Sequence, residues 1–207
     1  MRCGVIFVGL VLSLAIGQAT AATVVGKVGR MQGEVSAVVP AGGKIAMMVG
    51  TAVEQDQTIE TGVGARLEIN FVDGTTFTVG EKSKVTVDRF VFNPGGNKNV
   101  LKLAVVGPFR FISGKLSKSL GANVSVTTPF ATIGIRGTNV WGGPIDQRYG
   151  VFLATGIVSV TSGGKTVVLS RPGSGTNIAN DKGAPPGGIT QWPQDKVARA
   201  LATVAFR

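Results

Sequence analysis

The sequence predicts an all-β fold, a sandwich, barrel or roll of many short strands, followed by a helix within residues 194–207. Three observations support this prediction. Apolar and polar residues alternate with period two over several short stretches, which is typical of strands with one buried face. Turn residues recur roughly every 8–12 positions. Glycine is abundant, 31 of 207 residues, and lies between β-branched residues, as expected where tight turns join short strands.

The first residues have the pattern of a secretory signal. Arg2 gives a basic start, residues 4–16 are apolar, and Ala19-Thr20-Ala21 is a small-residue cleavage site. A membrane anchor is the alternative reading, but the apolar run is shorter than the roughly 18–20 residues that span a bilayer. We therefore expect a cleaved signal peptide and a bacterial protein that is periplasmic or secreted.

The register of the central strands can be argued from their side chains. A two-residue hairpin at Asp73-Gly74 would put Phe77 and Val79 on the opposite face from Leu67 and Ile69. A three-residue loop, Val72-Asp73-Gly74, pairs Ile69 with Phe77 and Leu67 with Val79 on one face. That loop needs a left-handed residue at its third position, and glycine adopts this conformation without strain. The sequence therefore predicts the three-residue loop, or a solenoid corner that keeps the same inward face.

Strand candidates continue on both sides of this hairpin. Their boundaries, in chain order, are 23–29, 33–39, 45–49, 82–92, 101–105, 109–112, 124–126, 130–143, 151–153, 157–160 and 167–169.

The chain after residue 170 is expected to be a tail. Residues 171–193 are rich in Gly, Pro, Ser and Asn and predict a loop. Val197, Leu201 and Val204 have helical spacing, so residues 194–207 predict a helix that caps a sheet edge or, alternatively, docks a partner. The expected organisation is a signal peptide at 1–21, a β domain at 22–172 and a tail with the helix at 173–207.

Two stretches of the chain resemble the FecR family, which was first known from ferric-citrate signalling. The first stretch follows the family pattern G-D-x-I-x-T-G, an apolar strand, and D-G-[ST]. The matching positions are Asp56, Ile59, Thr61, Gly62, Leu67, Ile69, Phe71, Asp73, Gly74 and Thr75, with Gln55 in place of the first glycine. The second stretch comprises residues 107–115, which resemble G-x-F-x-F-x-S-G-K, then the T-P-x-A-x-x-[GA]-[IV]-R-G-T segment at 128–138 and V-x-V after Gly156.

The resemblance implies a compact β-roll or short solenoid, with a β-sandwich as the alternative. Signalling members carry an anti-sigma domain and a membrane helix before this module, and no such segments are recognisable here. The resemblance therefore implies an exported copy of the β module without a transcriptional role. We expect Thr61, Gly62, Asp73, Gly74, Gly137 and Thr138 to be structural positions of the family motifs.

Arg136-Gly137-Thr138 allows two readings. In the structural reading, Gly137 turns left-handed, Thr138 bonds to local backbone, and Arg136 is buried against a carboxylate or carbonyl. In the functional reading, Arg136 is exposed and binds an anionic ligand beside Trp141.

Catalytic signatures are sparse. The chain has no histidine, and its one cysteine, Cys3, lies in the expected signal peptide. Ser-His and Cys-His pairs are therefore excluded, as are zinc sites of the usual kind. We expect no enzyme activity, cofactor or metal. The weaker alternative is a hydrolase using carboxylates that lie near one another in sequence, namely Asp56, Glu60, Glu68 and Asp73.

The formal charge of +10 gives the clearest indication of a partner. Five cations lie within one short span: Lys98, Lys102, Arg110, Lys115 and Lys118. On a shared face they would attract anionic polymers; otherwise they only keep the protein soluble. We expect a non-catalytic binding or scaffold unit of the cell envelope. Its partner is expected to be an envelope protein or an anionic polymer, without specific nucleic-acid binding and without a transmembrane segment after signal cleavage.

Overall fold

The computed structural model describes residues 23–38 and 43–207. The expected signal peptide lies outside the described residues, and so does position 39, the last residue of the strand candidate at 33–39. The helical elements are a short 3-10 helix, Leu116–Lys118, and α1, Gln194–Ala202. The strands are β1 (Val24–Gln32), β2 (Val35–Val38), β3 (Lys44–Ala46), β4 (Ala52–Glu54), β5 (Thr58–Thr61), β6 (Arg66–Phe71), β7 (Thr76–Val79), β8 (Lys84–Val91), β9 (Val100–Val106), β10 (Phe109–Ile112), β11 (Asn123–Thr127), β12 (Thr132–Ile145), β13 (Arg148–Ser162), β14 (Lys165–Leu169), β15 (Ser174–Ile178) and β16 (Thr190–Gln191).

The strands form one hydrogen-bonded sheet that curls into two layers. The first layer has the order β3-β2-β5-β8-β9-β11, and the second has the order β10-β7-β6-β1-β4. The long strand β12 joins them, because its residues 132–134 pair with β11 and its residues 139–142 pair with β10. β13 follows β12 and adds β14 to the first layer and β15 to the second. The predicted all-β roll with a C-terminal helix is confirmed.

One apolar core lies between the layers. It contains the inward residues of both layers, such as Val85 and Leu103 in the first and Leu67 and Phe111 in the second. Phe71 of β6 stacks on Phe90 of β8 with ring centroids 5.6 Å apart, which joins the layers directly. Alternation along each strand supplies these side chains, since every second residue points inward.

The chain passes between the layers at corners, as in a short solenoid. β1 leads into β2, β5 into β6, β7 into β8 and β9 into β10 by such crossings. Thr61 ties two corners together, because its Oγ1 donates to Gly80 O at 2.7 Å and accepts the Ser83 N–H at 2.9 Å. The threonine of the family's T-G pair therefore holds adjacent corners in register.

The central hairpin has the predicted register. Leu67 pairs with Val79 and Ile69 with Phe77, and Gly74 has φ +85°. The three-residue loop is confirmed. Its physical basis is that only this register buries both apolar sets on one face.

The stretch at 171–193 is not only a loop, so this prediction was wrong. It contains β15, which pairs with residues 149–152 of β13, and the short β16. Gly175 of β15 has the indole of Trp192 against it, where a Cβ would lie 2.5 Å from Trp192 Cε2. The sheet therefore continues beyond residue 172.

The C-terminal segment crosses the outer face of the second layer. α1 and the residues after it pack on Trp141, Phe152 and Trp192 in a second apolar cluster. Beyond the helix, Phe206 lies under the Arg30 guanidinium of β1 at 4.3 Å. We call residues 192–207 the C-terminal strap. It covers a face of the sheet, so the prediction of an edge cap was wrong. Within residues 23–38 and 43–207, no helix has the length and hydrophobicity of a membrane span.

An ion-pair cluster fixes α1 to the turn between β12 and β13. The Asp146 carboxylate accepts hydrogen bonds from Arg199 Nη1 at 2.5 Å and from Lys196 Nζ at 3.1 Å. These bonds hold the pKa of Asp146 below its ordinary value, Arg199 having the larger effect. A carboxyl with a lowered folded pKa stabilises the fold above its unfolded pKa of about 3.9. That contribution is lost as the pH falls through the lower folded pKa.

We therefore expect Asp146→Asn to lower the melting temperature by an amount that depends on pH. Asn suits this turn, where residue 146 has φ +50°, so the change chiefly removes the charge. The difference from the wild type should be constant between about pH 5.5 and 7 and should shrink toward zero below about pH 3. Thermal unfolding followed by circular dichroism across this range measures it. A difference independent of pH would contradict the role of the charge.

Candidate functional site

The candidate site begins at a bulge in β12. The pairing of β12 with β13 shifts register between Arg136 and Val140, and Gly137 has φ +56°. The bulge lies where β12 leaves the first layer and enters the second. It therefore turns the strand between the layers and presents the preceding residue outward.

Thr138 anchors the bulge. Its N–H donates to Ser113 Oγ at 2.7 Å, and its carbonyl accepts the Ser113 N–H at 2.9 Å. Its Oγ1 donates to Thr155 O on β13. Opposite it, Gly156 has φ +92° and lies so close that a Cβ there would be 2.1 Å from Gly137 O. The Gly-Thr pair thus has the local-backbone role of the structural reading, and Gly156 allows the close approach.

The structural reading, in which Arg136 is buried against a carboxylate or carbonyl, was wrong. Its side chain is exposed, and among the described residues it makes no ion pair or side-chain hydrogen bond. It stands between two depressions on the outer face of the first layer. The larger, about 550 Å³, is also lined by Asn123, Gly134, Ile157, Ser159 and Val168. The smaller, about 190 Å³, is lined by Ser117, Ser119, Gly121, Ala122 and Arg136.

The larger depression exists because small residues lie opposite one another across the sheet. Gly134 pairs with Ser125 on β11 and with Ser159 on β13, so no large side chain fills this position. Ile157 and Val168 are 46% and 51% exposed beside it. The depression therefore combines an apolar wall with a cation at one end. Sequence reasoning missed it, because the three strands align these residues only in the folded sheet.

Trp141 is not beside Arg136, so this part of the functional reading was wrong. It is 1% exposed and lies under the C-terminal strap, where its Nε1 donates to Thr203 Oγ1 at 3.0 Å. The bulge reverses the pattern of inward and outward residues between these positions, and the two belong to different layers. Trp141 is a packing residue of the second layer.

The five predicted cations do not share one face. Lys102 is exposed on the first layer, paired across the strands with Arg89. Arg110 is on the outer face of the second layer, and its Nε donates to Asn139 Oδ1 at 3.0 Å. The remaining three are also exposed: Lys98 in a loop, Lys115 just before the 3-10 helix, and Lys118 at its end.

The loop of Lys98 lies beside the 3-10 helix of Lys118, and both lie near Arg136. Asn99 Nδ2 donates to Ser119 Oγ at 2.9 Å, which holds the loop of Lys98 beside the 3-10 helix of Lys118. A Cβ at Gly137 would lie 3.9 Å from Lys118 Cγ. The end of the first layer near the bulge is therefore positively charged.

The four carboxylates of the hydrolase alternative do not converge. Asp73 is buried, and its carboxylate is bonded to backbone N–H groups. Glu60 is in the first layer and Glu68 in the second. The hydrogen bond from Lys44 holds the pKa of Glu60 below its ordinary value, which does not suit a general acid. No group of three potential metal ligands occurs among the described residues.

Comparison with known proteins agrees with the motifs. Residues 57–159 match the family model described as FecR protein. Two crystal structures of a candidate anti-sigma factor from Parabacteroides distasonis ATCC 8503 have a similar fold, with TM-scores of 0.54 and 0.53 and 18% identity in both. Each match covers 70% of this chain, which spans only 63% and 64% of those two chains. None of the curated proteins compared with the chain is significantly similar to it. The motif order, the matched residues and the shared fold lead to one conclusion: residues 57–159 of this chain form a domain of the FecR family.

Proposed function

We propose that this FecR-like chain is a non-catalytic binding module of the bacterial cell envelope, which holds an acidic segment of an envelope protein on its first layer. The observation that carries the proposal is the exposed Arg136 at the end of the larger depression, without an ion-pair partner among the described residues. Ile157 and Val168 offer apolar contact beside it. An arginine next to an apolar wall is a common anchor of protein interfaces.

The rigid bulge supports this role. Arg136 lies two residues before Thr138, which is fixed to β13 and to Ser113 by hydrogen bonds. Little conformational entropy is then lost from the backbone on binding, so more of the contact energy is available as affinity. The expected signal peptide and the scattered carboxylates also favour an exported binding protein over a hydrolase.

An anionic envelope polymer is the alternative partner. The observation that favours it is the cationic end formed by Lys98, Lys118 and Arg136, with Lys102 and Arg89 further along the first layer. A polymer would depend on the summed charge of these residues and would bind much more weakly at high salt.

Arg136→Gln tests the proposal. We expect partner binding to weaken about 10- to 100-fold, because a charge-assisted hydrogen bond contributes about 1.5–3 kcal/mol. A photo-crosslinking residue at position 157 in living bacteria should give a discrete protein adduct that is lost in the Arg136→Gln background. Arg148→Gln, which removes an exposed arginine at the far turn of the β12–β13 hairpin, is the matched control.

The outcomes separate the two partners. A discrete adduct that Arg136→Gln abolishes and Arg148→Gln leaves intact supports a protein partner. Equal losses in both variants, together with a steep decrease in binding between about 50 and 200 mM salt, point to a polymer held by net charge. An adduct unchanged by Arg136→Gln would refute the proposed site.

A further inference from the structure

A second arginine lies on the opposite side of the molecule in an environment unusual for its charge. Arg66 begins β6, on the outer face of the second layer, and is only 6% exposed. Its Nη1 donates to the carbonyl of Ala65 at 2.7 Å. Its buried Nε–H has no acceptor among the described residues, and no described carboxylate lies within ion-pair distance. A buried guanidinium without an anion is costly, and proteins normally pair it.

Arg66 lines a cavity of about 220 Å³. The other lining residues are Glu81, Lys82, Pro108, Pro144 and Thr203. Glu81 makes no ion pair with Arg66; its Oε2 instead accepts the Gly64 N–H at 2.6 Å, and its side chain is exposed. Two cations and one carboxylate give the cavity a net positive charge, and two prolines give it apolar walls.

We propose that this cavity is a binding site for a small carboxylate. The guanidinium edge of Arg66 matches the geometry of a carboxylate, and Lys82 supplies a second positive charge. The single surplus charge matches a monoanion better than a phosphate dianion. Pro108 and Pro144 suit the short aliphatic part of such an acid. This site is separate from the Arg136 depression and does not depend on the proposed function.

The C-terminal strap closes one wall of the cavity. Thr203 approaches so closely at Gly80 that a Cβ there would lie 2.5 Å from Thr203 O. The same threonine accepts the hydrogen bond from Trp141 and donates to Ala200 O. A carboxylate bound between Arg66, Lys82 and the strap should therefore hold the strap against the second layer.

The test uses sodium acetate as the probe, with sodium chloride at equal ionic strength as the reference. We expect acetate to raise the melting temperature of the wild type and to slow amide exchange in residues 194–204, since a ligand that binds only the folded state stabilises it. Arg66→Met should abolish both effects, and Lys82→Gln should weaken acetate binding about threefold or more. Arg148→Gln should leave acetate binding unchanged.

A structural role for Arg66 predicts the opposite pattern in chloride alone. An unpaired buried cation replaced by methionine should leave the melting temperature unchanged or raised, whereas loss of a structural arginine should lower it. Equal acetate effects in the wild type, Arg66→Met and Lys82→Gln would overturn the site, as would no effect in the wild type. Tighter binding of inorganic phosphate than of acetate would overturn the assignment to a carboxylate.

Discussion

We expect Asp73→Ala to lower the free energy of unfolding by about 4 kcal/mol. Asp73 is 1% exposed, and its carboxylate is fully used inside the protein. Oδ1 accepts the Thr75 N–H at 3.1 Å, and Oδ2 accepts the Thr75 hydroxyl at 2.7 Å and the Leu116 N–H at 3.1 Å. Alanine would leave two buried N–H groups without acceptors, each costing about 1–3 kcal/mol.

The large effect has a topological reason. Asp73 is in the loop after β6, whereas Leu116 follows β10 and the Ser-Gly-Lys run. Thr75 completes the connection, because its hydroxyl accepts the Gly114 N–H at 3.1 Å. The Asp-Gly-Thr motif therefore holds together two segments that are about forty residues apart, which explains why both belong to one family pattern.

Chemical denaturation of Asp73→Ala and of Asp181→Ala measures the effect. Asp181 is exposed, and its side chain makes no hydrogen bond among the described residues, so its loss should change stability by less than about 0.5 kcal/mol. Asp73→Asn keeps the shape of the side chain and should lie between the two. If Asp73→Ala unfolds within about 0.5 kcal/mol of the wild type, the connection contributes little.

The sequence allowed prediction of those features that depend on local pattern. The register of β6 with β7 followed from side-chain alternation and the need for a left-handed residue at position 74. The C-terminal helix followed from the spacing of Val197 and Leu201. In each case the residues that decide the structure are within about ten positions of each other.

Features decided by distant residues could not be predicted. Ser174–Ile178 contains a serine, a glycine and an asparagine, which are poor strand residues, yet it forms β15 because β13 pairs with it and the Trp192 indole packs on Gly175. The functional reading placed Trp141 beside an exposed Arg136, whereas in the fold the C-terminal strap covers Trp141. Likewise, only the fold shows that Arg66 is buried without an ion-pair partner among the described residues.

The candidate site contains features of both kinds, some decided by nearby residues and some by distant ones. The local sequence Arg-Gly-Thr was sufficient to predict a left-handed glycine and a threonine bonded to backbone. It could not decide whether Arg136 is buried, because that depends on β11 and β13 contributing small residues beside it. Only the folded sheet shows that Arg136 is exposed at the end of a depression.

Gly156→Ala is the second change expected to have a large effect, also about 4 kcal/mol. Two costs add at this position. Alanine is strained at φ +92°, and its Cβ would lie 2.1 Å from Gly137 O and 2.7 Å from Thr138 Cα, both backbone atoms of the bulge. Relief of the contact requires β13 to move away from β12, which breaks the hydrogen bond from Thr138 to Thr155 and lets Arg136 shift.

Gly164→Ala separates the two costs. Gly164 is also left-handed, with φ +71°, but nothing lies within 4 Å of a Cβ there, so this variant should lose only about 1 kcal/mol. Denaturant unfolding of both variants gives the difference, which reports the contact between β13 and the bulge. Because Arg136 is positioned by that bulge, Gly156→Ala should also weaken partner binding at temperatures where the variant is folded, and Gly164→Ala should not. Equal losses of stability in the two variants would show that the close approach at Gly156 does not hold the bulge in place.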